Sequence, residues 1–71
     1  MRKGMIYENA SGRFALENDG FYWTCGDRMV LMVDGEWRIG DVEHDGKGYY
    51  WTDEIDKVVL CDGMMAMVDE N

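Results

Sequence analysis

The chain has 71 residues, fifteen acidic side chains against seven basic ones for a net charge of −8, no proline and two cysteines. A negative excess of this size disfavours direct contact with nucleic acid, which needs cations to neutralise phosphate, and disfavours anionic membranes for the same reason. No run reaches the ~20 apolar residues of a membrane span, and the stretch after Met1-Arg2-Lys3 is too short for a signal sequence. One cytoplasmic domain over 1–71 is therefore expected.

Asp-Gly occurs four times, at Asp19-Gly20, Asp34-Gly35, Asp45-Gly46 and Asp62-Gly63, each between short apolar or aromatic runs. Asp-Gly favours tight hairpin turns because those turns need positive φ, so the chain reads as a small antiparallel β protein. Residues 3–8 form the first expected strand, closed by the turn Asn9-Ala10-Ser11-Gly12. Residues 13–17 follow with Phe14 and Leu16 on one face, and Asn18-Asp19-Gly20 turns into Phe21-Tyr22-Trp23-Thr24.

The best-specified unit is the hairpin over 28–43 around Asp34-Gly35. Side chains alternate along a strand, which puts Val30, Met32, Trp37 and Ile39 on one face, assigned here to the core. Met29, Leu31 and Val33 fall on the other face, closed over by a barrel or open to a partner. The alternation breaks after Ile39, where Val42 is apolar and Asp41 is not, so a β-bulge is expected at Gly40-Asp41. Beyond the turn His44–Gly48 come Tyr49–Thr52, the acidic loop 53–56, a strand or 3₁₀ turn over Lys57–Cys61, and a last strand from Met64 to Val68. Gly20-Phe-Tyr-Trp-Thr24 echoes Gly48-Tyr-Tyr-Trp-Thr52, with Trp23 and Trp51 expected inward and Tyr22 and Tyr50 outward.

Five to seven short strands and no helix indicate an all-β small barrel or half-open barrel. Cys25-Gly26-Asp27 followed by Asp34-Gly35-Glu36-Trp37-Arg38-Ile39-Gly40-Asp41-Val42-Glu43 resembles SH3-like barrels, in which a tight turn leads to a Trp-bearing return strand. The chain also resembles a family of short uncharacterised bacterial proteins, a domain of unknown function from Gram-positive bacteria and their mobile elements. That resemblance rests on Ser11-Gly12-Arg13-Phe14, Cys25-Gly26-Asp27, Asp34-Gly35-Glu36-Trp37, Val42-Glu43, Tyr49-Tyr50-Trp51 and Asp62-Gly63-Met64, spanning roughly 11–68. It implies no activity and no catalytic residues.

Asp41, Glu43 and Asp45 alternate, so in an extended strand they would share a face about 6.7 Å apart. Asp53, Glu54 and Asp56 follow in the next loop. Together they suggest an acidic face that imitates a nucleic-acid backbone and occupies the basic groove of a nucleic-acid-binding protein. Tyr22 and Tyr50 are candidate anchors, since tyrosine is enriched at binding hot spots. Cys25, His44 and Cys61 are singletons without the close spacing of a zinc site, so neither a metal nor another cofactor is expected. No catalytic motif is present. The expected function is that of a non-enzymatic protein-binding module, monomer or homodimer, in its sharpest form an anti-CRISPR-like or DNA-mimicking inhibitor from a phage or mobile element. The alternative is a housekeeping interaction or oligomerisation module that binds through Met29, Leu31, Val33 and the tyrosines.

Overall fold

A computed structural model describes residues 2–70. Eight strands form one antiparallel sheet that curls into a half-barrel: β1 (Lys3–Glu8), β2 (Phe14–Leu16), β3 (Tyr22–Trp23), β4 (Arg28–Val33), β5 (Glu36–His44), β6 (Tyr49–Thr52), β7 (Lys57–Val59) and β8 (Met65–Val68). The order across the sheet is β3-β2-β1-β8-β4-β5-β6-β7. Two meanders, β1–β3 and β4–β7, are thus joined by the last strand, which pairs with both β1 and β4. The count exceeds the expected five to seven because β3 and β7 are only two and three residues long. Lys57–Val59 is a strand, not a 3₁₀ turn. Among the described residues no helix is long and apolar enough to cross a membrane.

The concave face holds the core: Ile6, Phe14, Leu16, Trp23, Met29, Leu31, Val42, Trp51, Leu60 and Ala66. Both tryptophans of the internal echo are fully buried, and Tyr22 points outward, as the alternation predicts. Asp34-Gly35 forms the expected two-residue turn with φ of +51° and +83°, and the pairs Val33–Glu36, Met32–Trp37 and Val30–Ile39 fall in the predicted register.

The faces of that hairpin are the reverse of the expectation. Met29 and Leu31 are sealed in the core, whereas Trp37 and Ile39 remain 37% and 57% exposed, with Val30 and Met32 half-buried beside them. The physical reason lies in Trp51. Its indole crosses β5 above Gly40 and donates from Nε1 to the Met29 carbonyl on β4 (3.0 Å). A Cβ at position 40 would stand 2.5 Å from Trp51 Cε2 and 2.5 Å from the Thr52 carbonyl oxygen. Gly40 is therefore the gap that admits the indole, and the core face of β5 runs through Arg38, Gly40 and Val42.

No bulge occurs at Gly40-Asp41, since β4 and β5 pair without interruption from Arg28–Asp41 to Val33–Glu36. The bulge sits on the facing strand. Gly26 N–H donates to the Val42 carbonyl (2.7 Å) and Val42 N–H to the Asp27 carbonyl (2.8 Å), so two residues oppose one. The same unit recurs where Gly63 N–H donates to the Ile6 carbonyl and Ile6 N–H to the Met64 carbonyl, both at 2.9 Å. Each follows a turn closed from residue i to i+3, Thr24–Asp27 and Cys61–Met64. Both glycines have φ of +93°, which a residue with a Cβ adopts only under strain. These paired turn-and-bulge units set the entry angles of β4 and β8, the two strands at the centre of the sheet.

Candidate functional site

Two surface features stand out: the outer, convex face of the central strands and the acidic residues along β5 and the loop after β6. On the convex face Met67 stands across from Val30, and Val30 across from Ile39. The next row holds Met5 across from Met65, then Met32 across from Trp37. These seven apolar side chains spread over β1, β8, β4 and β5, and four of the chain's seven methionines are among them. Met5, Met65, Trp37 and Ile39 are each more than one-third exposed. Contiguous apolar patches of this kind are uncommon on monomers and mark interaction surfaces. Methionine adds conformational adaptability to such a surface.

The candidate acidic residues divide into groups with different environments. Asp41 and Glu43 lie on the outer side of β5, half-buried, with Arg28 Nε 3.8 Å from Asp41 and the Cys25 thiol donating to Glu43 (3.3 Å). Asp45 lies beyond the strand, where its Oδ1 accepts the backbone N–H groups of Lys47 (2.9 Å) and Gly48 (3.0 Å). Those two bonds hold its carboxyl below the usual aspartate range. Asp53 similarly accepts from Asp56 N–H (2.7 Å) and Ile55 N–H (2.9 Å). Arg38 reaches it as well, at 2.6 Å, and takes Asp56 at 2.8 Å. The backbone donors lead in lowering the Asp53 pKa, with Arg38 adding to them, while the two carboxylates raise that of Arg38. Glu54 makes no hydrogen bond or ion pair among the described residues.

The structure thus brings Asp41, Asp53 and Glu54 around one shallow depression, with Arg28, Ile39 and Ile55 in its walls. It does not expose all six carboxylates as a single uncompensated strip, because one guanidinium, stacked 5.6 Å from the Trp51 ring, spans Asp53 and Asp56. The tyrosines are not brought together. Tyr22 is exposed on β3 at one edge of the sheet, and Tyr50 sits on β6 beside the other. The Lys57 ammonium lies 4.3 Å from the Tyr50 ring and occupies its face. Met29 and Leu31, expected as partner contacts in the alternative reading, are buried, and Val33 packs against the core.

Among the described residues no group of three or more His, Cys, Asp and Glu side chains is arranged to hold a metal ion. His44 Nδ1 accepts Gly46 N–H (3.0 Å) and its ring meets Tyr49 edge-on at 4.6 Å. Cys25 and Cys61 are exposed and unbridged. The convex face is the feature that sequence reasoning missed, although its signal was present: both faces of Arg28–Val33 carry apolar residues, and only one of them can be core.

No curated protein and no solved structure matches the chain. One family model matches, described as Domain of unknown function (DUF5348), over residues 3–68, which takes in every strand from β1 to β8. The chain belongs to this family.

Proposed function

We propose that the domain is a non-enzymatic protein-binding module that docks its partner on the convex face of β1, β8, β4 and β5. The observation that carries this reading is the seven-residue apolar surface centred on Val30, Ile39 and Trp37, which lies on the most extensively paired part of the sheet. A rigid sheet presents such side chains at little conformational cost, and burying them on a partner supplies the hydrophobic driving force. The Asp34-Gly35 hairpin with its Trp37-bearing return strand supports describing the module as SH3-like.

A narrower version makes the partner a nucleic-acid-binding protein and the domain an inhibitor carried by a phage or mobile element, as a DNA mimic or anti-CRISPR protein would be. Its support is the net charge of −8 and the gathering of Asp41, Asp53 and Glu54 around one depression beside Ile39. One experiment addresses both versions. Tagged wild-type protein and the variant Ile39→Lys, its fold checked by circular dichroism, are used to capture partners from host lysate with and without excess duplex DNA. Loss of capture by Ile39→Lys is the expected result, and equal recovery by both proteins overturns the docking surface. Displacement by DNA selects the inhibitor version; indifference to DNA removes it.

A further inference from the structure

We infer that the occupant of the convex face is a basic amphipathic protein segment, one that sets apolar side chains between lysines or arginines, and not a second copy of this chain. The inference rests on the docking reading above and adds the chemistry of the partner.

The rim of the face supplies the argument. Asp69 and Glu70 line a depression together with Val30, Trp37, Ile39 and Met67. Asp41 and Glu54 line the neighbouring depression that contains Ile39 and Arg28. Glu43 continues the acidic row along the outer side of β5. Arg28, 3.8 Å from Asp41, Lys3, across from Met67, and Arg2, whose backbone N–H donates to Glu70, offset part of this charge. An apolar centre with a negative rim is complementary to an apolar segment with positive flanks. A second copy would bring one negative rim against another, between chains that each carry −8, and like-charge juxtaposition at an interface is strongly unfavourable. The apolar side chains give the partner its affinity and the carboxylates determine which apolar segment is accepted.

The chain carries its own reporter. Trp23 and Trp51 are fully buried, whereas Trp37 is 37% exposed on the proposed surface. Acrylamide quenching of tryptophan fluorescence therefore reads the occupancy of this face. The probes are three synthetic peptides: leucine and lysine patterned as an amphipathic helix, the same pattern with glutamate for lysine, and a scrambled leucine–lysine peptide without an amphipathic face. The expected result is that the patterned lysine peptide alone shields Trp37. Its affinity should fall about tenfold or more between about 0.1 M and about 1 M salt, as the Debye length shrinks from ~10 Å to ~3 Å. The double variant Asp41→Lys/Glu43→Lys should weaken it by a similar factor.

Equal binding of the glutamate peptide overturns the charge assignment and leaves the docking reading standing. Equal binding of the scrambled peptide overturns the amphipathic requirement. Failure of every peptide, with sedimentation showing a concentration-dependent dimer that shields Trp37, overturns the inference in favour of a second copy. Undiminished binding of the patterned lysine peptide to Ile39→Lys, by contrast, sinks the docking reading itself.

Discussion

On β4, Met29 and Leu31 point into the half-barrel and are sealed, while Val30 and Met32, one residue away, point outward and stay partly wet. The two sets are nearly equal in hydrophobicity, so transfer free energy by itself does not distinguish them. What separates them is the shape of the opposing side chains. The inner face meets Gly40, whose missing Cβ lets Trp51 reach β4, and Val42, which packs where the strand continues. The outer face meets Trp37 and Ile39, large side chains that remain partly exposed. In a small barrel the core is decided where the bulky residues can interdigitate, and a glycine opposite a tryptophan is a stronger indicator than another valine or methionine.

Truncation on each face separates the two sets most strongly. Leu31→Ala should cost about 2–5 kcal/mol, the usual loss for a sealed leucine with the cavity it leaves. Ile39→Ala should stay within about 0.5 kcal/mol, as for an exposed site. Urea denaturation measures both, and equal losses would mean that the two faces are not distinct. Gly40→Ala comes next, at about 1–3 kcal/mol for overpacking, because the added methyl would meet the Trp51 ring and the Thr52 carbonyl. A fully stable Gly40→Ala protein would show that the indole does not depend on that gap.

The strand positions, the Asp34-Gly35 turn and the hairpin register are legible in the sequence because alternation and turn chemistry are local. The face of the hairpin is not, since it depends on Trp51, eleven residues beyond Gly40 in the chain. Arg38 adds to the misreading: a charged residue opposite Leu31 and two before Gly40 looks like surface until Asp53 and Asp56 are seen to pair with it. The pattern announces a bulge but points to the wrong strand, because the break at Val42 is visible on β5 while its cause, Gly26-Asp27, lies on the neighbour. The acidic residues are legible as a surface feature. Their partial neutralisation is not, because one arginine on an inner face carries no mark of its role.

Gly26→Ala and Gly63→Ala test whether the two central strands depend equally on their matched turn-and-bulge units. A methyl group added at either glycine would meet no heavy atom within 4 Å, so only backbone strain is at issue. Each substitution should cost about 1–2 kcal/mol. Gly63→Ala should also loosen hydrogen-exchange protection in β1, which its bulge joins to β8, while Gly26→Ala loosens β5. Protection lost uniformly across the sheet in both variants would instead indicate one undivided cooperative unit.

The smallest effect concerns Arg38, on the inner face of β5. Asp53 has its pKa lowered by two backbone N–H donors and by Arg38, and Asp45 and Asp19 are lowered by Lys47 and Gly48 N–H and by Arg2, respectively. A carboxyl whose folded pKa is depressed contributes stability at every pH above its unfolded value, and that contribution is lost as pH falls through the folded value. Stability should therefore hold from neutrality down to the usual aspartate range and then decline below it. Asp53→Asn should flatten the decline and lower stability at neutral pH, because the amide accepts the loop N–H groups without the charge that Arg38 needs. Asp41→Asn, on the outer face and 3.8 Å from a largely exposed Arg28, should leave stability at neutral pH nearly unchanged, as loss of a weak exposed ion pair does. Chemical denaturation at a series of pH values distinguishes them. Identical curves for the two variants would show that Arg38 binds its carboxylates no more firmly than the outer surface does, and that the acidic loop is held by its backbone hydrogen bonds alone.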